Sequence, residues 1–121
     1  MSRATAVLTA FLLFGGTRAF AQTDVAGEWA ASLATPRGEM AFTLVILQNG
    51  SKLSGRMTSE MGEFPLEGLV NGNQVKIEWS FPDGGKMLPV TFTGRVQGDS
   101  MSGFAKLGNV GEGSMSARRS P

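Results

Sequence analysis

Gly68-Leu69-Val70-Asn71-Gly72-Asn73-Gln74-Val75 returns 26 positions later as Gly94-Arg95-Val96-Gln97-Gly98-Asp99-Ser100-Met101. Each copy reads as the end of a strand, a tight turn carrying a glycine, and the start of the next strand. A looser copy, Leu47-Gln48-Asn49-Gly50-Ser51-Lys52-Leu53, lies upstream. Three such hairpin phrases in succession describe consecutive hairpins of one antiparallel sheet.

Working outward from the repeat, apolar residues alternate with polar ones along the chain and no helical period appears. Trp29, Ala31 and Leu33 share one face of a first strand, and Met40, Phe42, Leu44 and Ile46 mark a second. Leu53, Gly55 and Met57 mark a third, and Phe64, Leu66 and Gly68 a fourth. The fifth alternates most regularly, with Val75, Ile77, Trp79 and Phe81 against Gln74, Lys76, Glu78 and Ser80. Leu88, Val90, Phe92, Gly94 and Val96 give a sixth, and Met101, Gly103, Ala105 and Leu107 a seventh. A loop over 108–113 and a short eighth strand over 114–118 complete the reading.

Eight short strands joined by tight turns predict an all-β, up-and-down antiparallel barrel with no core helix. A β-sandwich would require longer crossing connections than this chain offers. Gly55, Gly68, Gly94 and Gly103 fall on the inward register, where the missing side chain permits the sharp coiling that closure demands.

The first 21 residues read differently. Arg3 precedes an apolar stretch from Ala4 to Phe14, Gly15 and Gly16 break it, and Ala19-Phe20-Ala21 is a small-x-small cleavage signal. This pattern predicts a signal peptide over 1–21, cleaved after Ala21, and a single barrel domain over 22–121, exported to the periplasm or beyond. A membrane anchor would need about 18 uninterrupted apolar residues, and Arg18 interrupts the run. No cysteine stands at the cleavage point to accept a lipid.

Cleavage would remove Arg3 and Arg18, leaving nine basic against ten acidic residues, a net charge of −1. The basic residues are scattered, with no run beyond Arg118-Arg119, so no nucleic-acid footprint is expected. The chain has no Cys and no His. Disulfides, the usual zinc, copper and haem ligands, and every triad or dyad that needs histidine are therefore excluded. No catalytic residue, cofactor or metal site is assigned, and the protein is not expected to be an enzyme.

Gly27-Glu28-Trp29 at the start of the first strand and Arg118 (or Arg119) at the end of the last carry a resemblance. A Gly-x-Trp with a basic residue from the last strand laid over its indole resembles the structural signature of the calycin superfamily, which includes lipocalins, fatty-acid-binding proteins and avidins. The chain is also similar to small exported bacterial barrel modules. The resemblance implies that Gly27, Trp29 and Arg118 close the barrel and do not bind ligand. It departs from lipocalins in length and in lacking a C-terminal helix, and from avidins in lacking tyrosine, so biotin binding is not implied.

Inside the barrel, Phe42, Phe64, Trp79 and Phe92 are the expected ligand-binding residues, facing an apolar cavity for a small hydrophobic molecule. The alternative is a filled barrel serving as a structural or protein-interaction module. Thr43, Val45 and Leu47 point outward from the second strand and make it apolar on both faces, so self-association or docking is expected around Val45 and Leu47. Two other chemistries are weaker. Met57 and Met61 flank one turn but have no histidine to complete a copper site. Glu60, Glu63 and Glu67 are close in sequence, as a glycosidase pair would need, but Glu63 and Glu67 share the outward register with Pro65, as on a solvated wall.

Overall fold

Alternation at period 2 becomes eight strands in the computed structural model, which describes residues 23–120. The expected signal peptide and its cleavage site lie outside the described residues. The strands are β1 (Gly27–Thr35), β2 (Gly38–Asn49), β3 (Lys52–Ser59), β4 (Gly62–Asn71), β5 (Gln74–Asp83), β6 (Lys86–Gln97), β7 (Ser100–Leu107) and β8 (Gly111–Arg119). Each pairs antiparallel with its neighbours in sequence. β1 also pairs with β8, from Trp29 opposite Arg119 to Ala34 opposite Ser114, so the sheet closes into an up-and-down barrel.

The last strand is longer than its sequence suggests. The expected loop over 108–113 is confined to Gly108, Asn109 and Val110, and β8 already pairs at Gly111 with Leu107. Gly111 and Gly113 interrupt the apolar signal there but not the ladder.

The buried part of the inward register is apolar. Trp29, Leu44, Ile77, Val90 and Phe92 are fully buried, and among the described residues no polar or charged residue is buried. Burial of this kind contributes about 25 cal/mol per Å² of apolar surface and must hold the fold without disulfides. It follows the pleat: β5 alternates without a break from buried Val75 to buried Phe81.

The repeated phrase has two structural roles. Gly72 and Gly98 stand first in two-residue turns with φ of 63° and 62°, a region that glycine enters without strain. Gly68 and Gly94 lie in the wall, where a neighbouring strand's backbone approaches closely. A Cβ on Gly68 would collide with the Lys76 carbonyl oxygen, and one on Gly94 with that of Ser102. Both positions of the phrase thus serve closure, one by turning the chain and one by letting strands approach.

Hairpin heights differ around the rim. β1 and β2 pair to their turn at Thr35 and Gly38, and β5 and β6 pair to theirs at Asp83 and Lys86. Pairing of β2 with β3 stops at Thr43–Thr58, and that of β4 with β5 stops at Leu66–Trp79. The β1–β2 and β5–β6 hairpins, half-way round the barrel from one another, therefore rise above the shorter β3–β4 hairpin between them.

Candidate functional site

The two ends of the barrel are built differently. At the end holding the β2–β3, β4–β5 and β6–β7 turns, residues 23–26 fold across the opening before β1 begins. Val25 is fully buried there, as is Trp29 beneath it. The Trp29 Nε1–H donates to the Val25 carbonyl at 2.9 Å, so the indole holds the plug in place.

Arg119 completes the seal. Its guanidinium lies over the Trp29 ring, 4.5 Å from the centroid. It donates to the carbonyl oxygens of Ala26, Asp24 and Gly98, and its Nε–H donates to the Asp99 carboxylate at 2.9 Å. One planar fork thus ties the incoming segment, the β6–β7 turn and the last strand together. Of the two arginines considered, Arg119 and not Arg118 takes this position. Arg118 is exposed, opposite Ala30 on the outer register, because successive residues of a strand face opposite sides. Gly27 sits against the Arg119 side chain, with space for a Cβ only at 3.3 Å from its Cδ.

Gln48 is a closure residue that the sequence reading passed over. It continues the inward register of Phe42, Leu44 and Ile46 to the end of β2. Its Oε1 accepts from the Val25 N–H at 2.7 Å, and its Nε2 donates to the carbonyls of Thr23 and Gly50, each at 3.0 Å. The signal was available in the period, but a polar residue at the end of an apolar run reads as the strand's exit from the core.

At the opposite end the barrel is open. A depression of about 650 Å³ is lined by Met40 on β2, Phe81 on β5 and Leu107 on β7, with Met61 on the β3–β4 turn at its edge. This volume lies within the roughly 300–1,000 Å³ typical of small-molecule pockets. Arg37 and Asp83, at the tips of the two tall hairpins, form an ion pair at 3.3 Å that bridges the rim.

The four aromatic residues expected to bind ligand do not converge on one cavity. Phe42 and Trp79 pack against each other with centroids 5.4 Å apart and planes tilted by 58°. They fill the barrel below the mouth, in the offset geometry that aromatic pairs prefer. Phe92 is fully buried, and its ring occupies the space left by the absent side chain of Gly94. Phe64 is half-buried and, with Trp79, borders an open furrow of about 900 Å³ across β3–β6, lined by residues of both the inward and the outward register. That furrow follows the place where β4 and β5 cease to pair, beside Pro65, which has no N–H to offer a neighbour. Across it, Glu67 and Glu78 stand directly opposite as like charges on the solvated wall.

The remaining candidates separate in space. Met57 is buried in the core while Met61 is 46% exposed on the turn. Glu60, Glu63 and Glu67 are all exposed, with Glu63 near Arg56 at 3.7 Å. Leu47 is 62% exposed on the outer wall and Val45 is half-buried beside it.

No known protein family matches the chain, and no curated protein does either. The architecture itself, a closed eight-stranded antiparallel barrel, is compatible with a calycin-like fold.

Proposed function

We propose that this protein is a non-catalytic, calycin-like binding barrel that receives a small hydrophobic molecule at its open end. The observation that carries this reading is the difference between the two ends. One is shut by Val25, Trp29, Gln48 and Arg119 through hydrogen bonds and a cation–π contact. The other presents Met40, Phe81 and Leu107 around a depression of ligand size. A barrel with one permanently closed end and one apolar mouth suits capture and release of a guest from a single side. The leader read in residues 1–21 supports a place outside the cytoplasm, where such a guest would be met in the periplasm or medium.

A second reading draws on the contact between Phe42 and Trp79, which fills the interior beneath the mouth. A filled barrel would serve as a docking module through the outer wall around Val45 and Leu47. Native mass spectrometry of protein purified from its own cell envelope separates the two. A small co-purifying mass, lost on mild extraction with organic solvent, supports the binding barrel. A mass of protein size, or a dimer that Leu47→Glu disperses, supports the module and overturns the first reading.

A further inference from the structure

The charges around the mouth narrow the chemistry of its guest. Four charged residues line the depression: Arg37, Glu39, Glu60 and Asp83. Three are carboxylates, and the one guanidinium is already engaged by Asp83 at 3.3 Å. Among the described residues, the other ion pairs are Arg56–Glu63 and Arg119–Asp99, so Glu39 and Glu60 have no cationic partner. Lys86 opposes Asp83 in the β5–β6 ladder but does not line the depression.

Below this rim the lining is apolar. Phe81 and Leu107 are buried, Met40 is half-buried, and Met61 and Pro82 are exposed at the edge. The thioethers of Met40 and Met61 can adapt to different shapes. An apolar floor beneath a carboxylate-rich rim presents two chemistries to one guest, in a fixed order from inside to outside.

We infer that the mouth selects an amphiphile with a cationic head, such as a hydrophobic amine or quaternary ammonium compound. Its apolar body lies against Met40, Phe81 and Leu107, and its head stays at the rim beside Glu60 and Glu39. An anionic amphiphile has the opposite fit. It would meet one guanidinium already paired with Asp83 and would face the carboxylates of Glu39, Glu60 and Asp83. The inference rests on the reading of the mouth as a binding site, and adds the sign of the guest's charge.

Isothermal titration of the purified protein with three ten-carbon probes tests it, each kept below its micelle concentration: decyltrimethylammonium, decyl maltoside and decyl sulfate. The cation is expected to bind tightest, roughly 2- to 25-fold over the maltoside, since each of two exposed carboxylates supplies at most about fivefold. The preference should shrink with added salt. Glu60→Gln should weaken the cation alone by up to about fivefold, while Glu78→Gln on the outer wall should leave all three probes unchanged. Decyl maltoside binding as tightly as the cation, or decyl sulfate binding tightest, would overturn the charge selection and leave the apolar mouth standing. Failure of all three to bind would overturn the mouth as a binding site, and the selection with it.

Discussion

Arg119, one residue from the last of those described, lies over the indole of Trp29, which stands third in the first strand, with 4.5 Å between guanidinium carbon and ring centroid. The two are also register partners across the β1–β8 seam. The seam that closes the barrel is thus clamped where the last strand meets the first. The Arg119 side chain is only 18% exposed and is engaged by three carbonyls and a carboxylate.

Arg119→Ala should therefore destabilise the protein by about 2–4 kcal/mol, combining a partly buried cation–π contact with charged hydrogen bonds. Arg119→Lys should retain less than half of that stability, because an ammonium cannot reproduce the planar fork. Arg118→Ala, on the exposed neighbouring position, should shift stability by no more than about 0.5 kcal/mol. Urea denaturation of the three variants measures the contrast. Equal effects at 118 and 119 would remove the clamp from the account.

Gln48→Ala should cost about 1–2 kcal/mol, since it leaves the Val25 N–H and the Thr23 carbonyl without their side-chain partner. The loss should be local before it is global. Amide exchange at Val25 should accelerate well beyond that at Ile77 in the middle of β5. Uniform acceleration across the barrel would mean that the plug and the wall are one cooperative unit.

Glycines of the repeated phrase should rank by role. Gly68→Ala and Gly94→Ala would each drive a Cβ into a neighbouring strand's carbonyl oxygen, for about 2–3 kcal/mol or more of overpacking. At Gly72 nothing stands within 4 Å of a Cβ, so Gly72→Ala should cost only the strain of φ 63°, about 1–2 kcal/mol. Thermal melts of the three variants should preserve this order. A turn variant less stable than the wall variants would contradict it.

Much of this architecture was legible in the chain because a period-2 pattern has only one consistent solution once the turns are located. Trp79 and Phe81 could be placed inward from β5 alone, and Gly68 and Gly94 could be read as wall glycines from the repeat. What sequence could not deliver was depth and distance along the barrel axis. Phe42, Phe64, Trp79 and Phe92 share the inward register, yet register says nothing about which rings meet. Phe42 and Trp79 touch across the interior, Phe92 fills the space beside Gly94, and Phe64 lies at the splayed end of β4. The mouth residues Met40, Phe81 and Leu107 were legible as core positions but not as the floor of a mouth, because hairpin height depends on where each ladder stops. Arg118 and Arg119 differ by one position, and a one-residue uncertainty at a strand end reverses the face.

Phe42→Ala should behave as a core deletion, costing about 3–5 kcal/mol by removing its ring from Trp79. Phe64→Ala, at a half-buried position, should cost clearly less. Fluorescence of Trp79 should respond to the first substitution far more than to the second. Comparable losses at both sites would indicate that the interior is not packed around the Phe42–Trp79 contact.

The central claim is that this barrel is sealed at one end and receives its guest at the other. A two-dimensional amide NMR titration with decyl maltoside, below its micelle concentration, addresses it residue by residue. The account predicts saturable shifts at Met40, Met61, Phe81 and Leu107, with Val25, Trp29 and Gln48 unmoved. Shifts centred on the sealed end, or on the outer wall around Leu47 with the mouth silent, would contradict it.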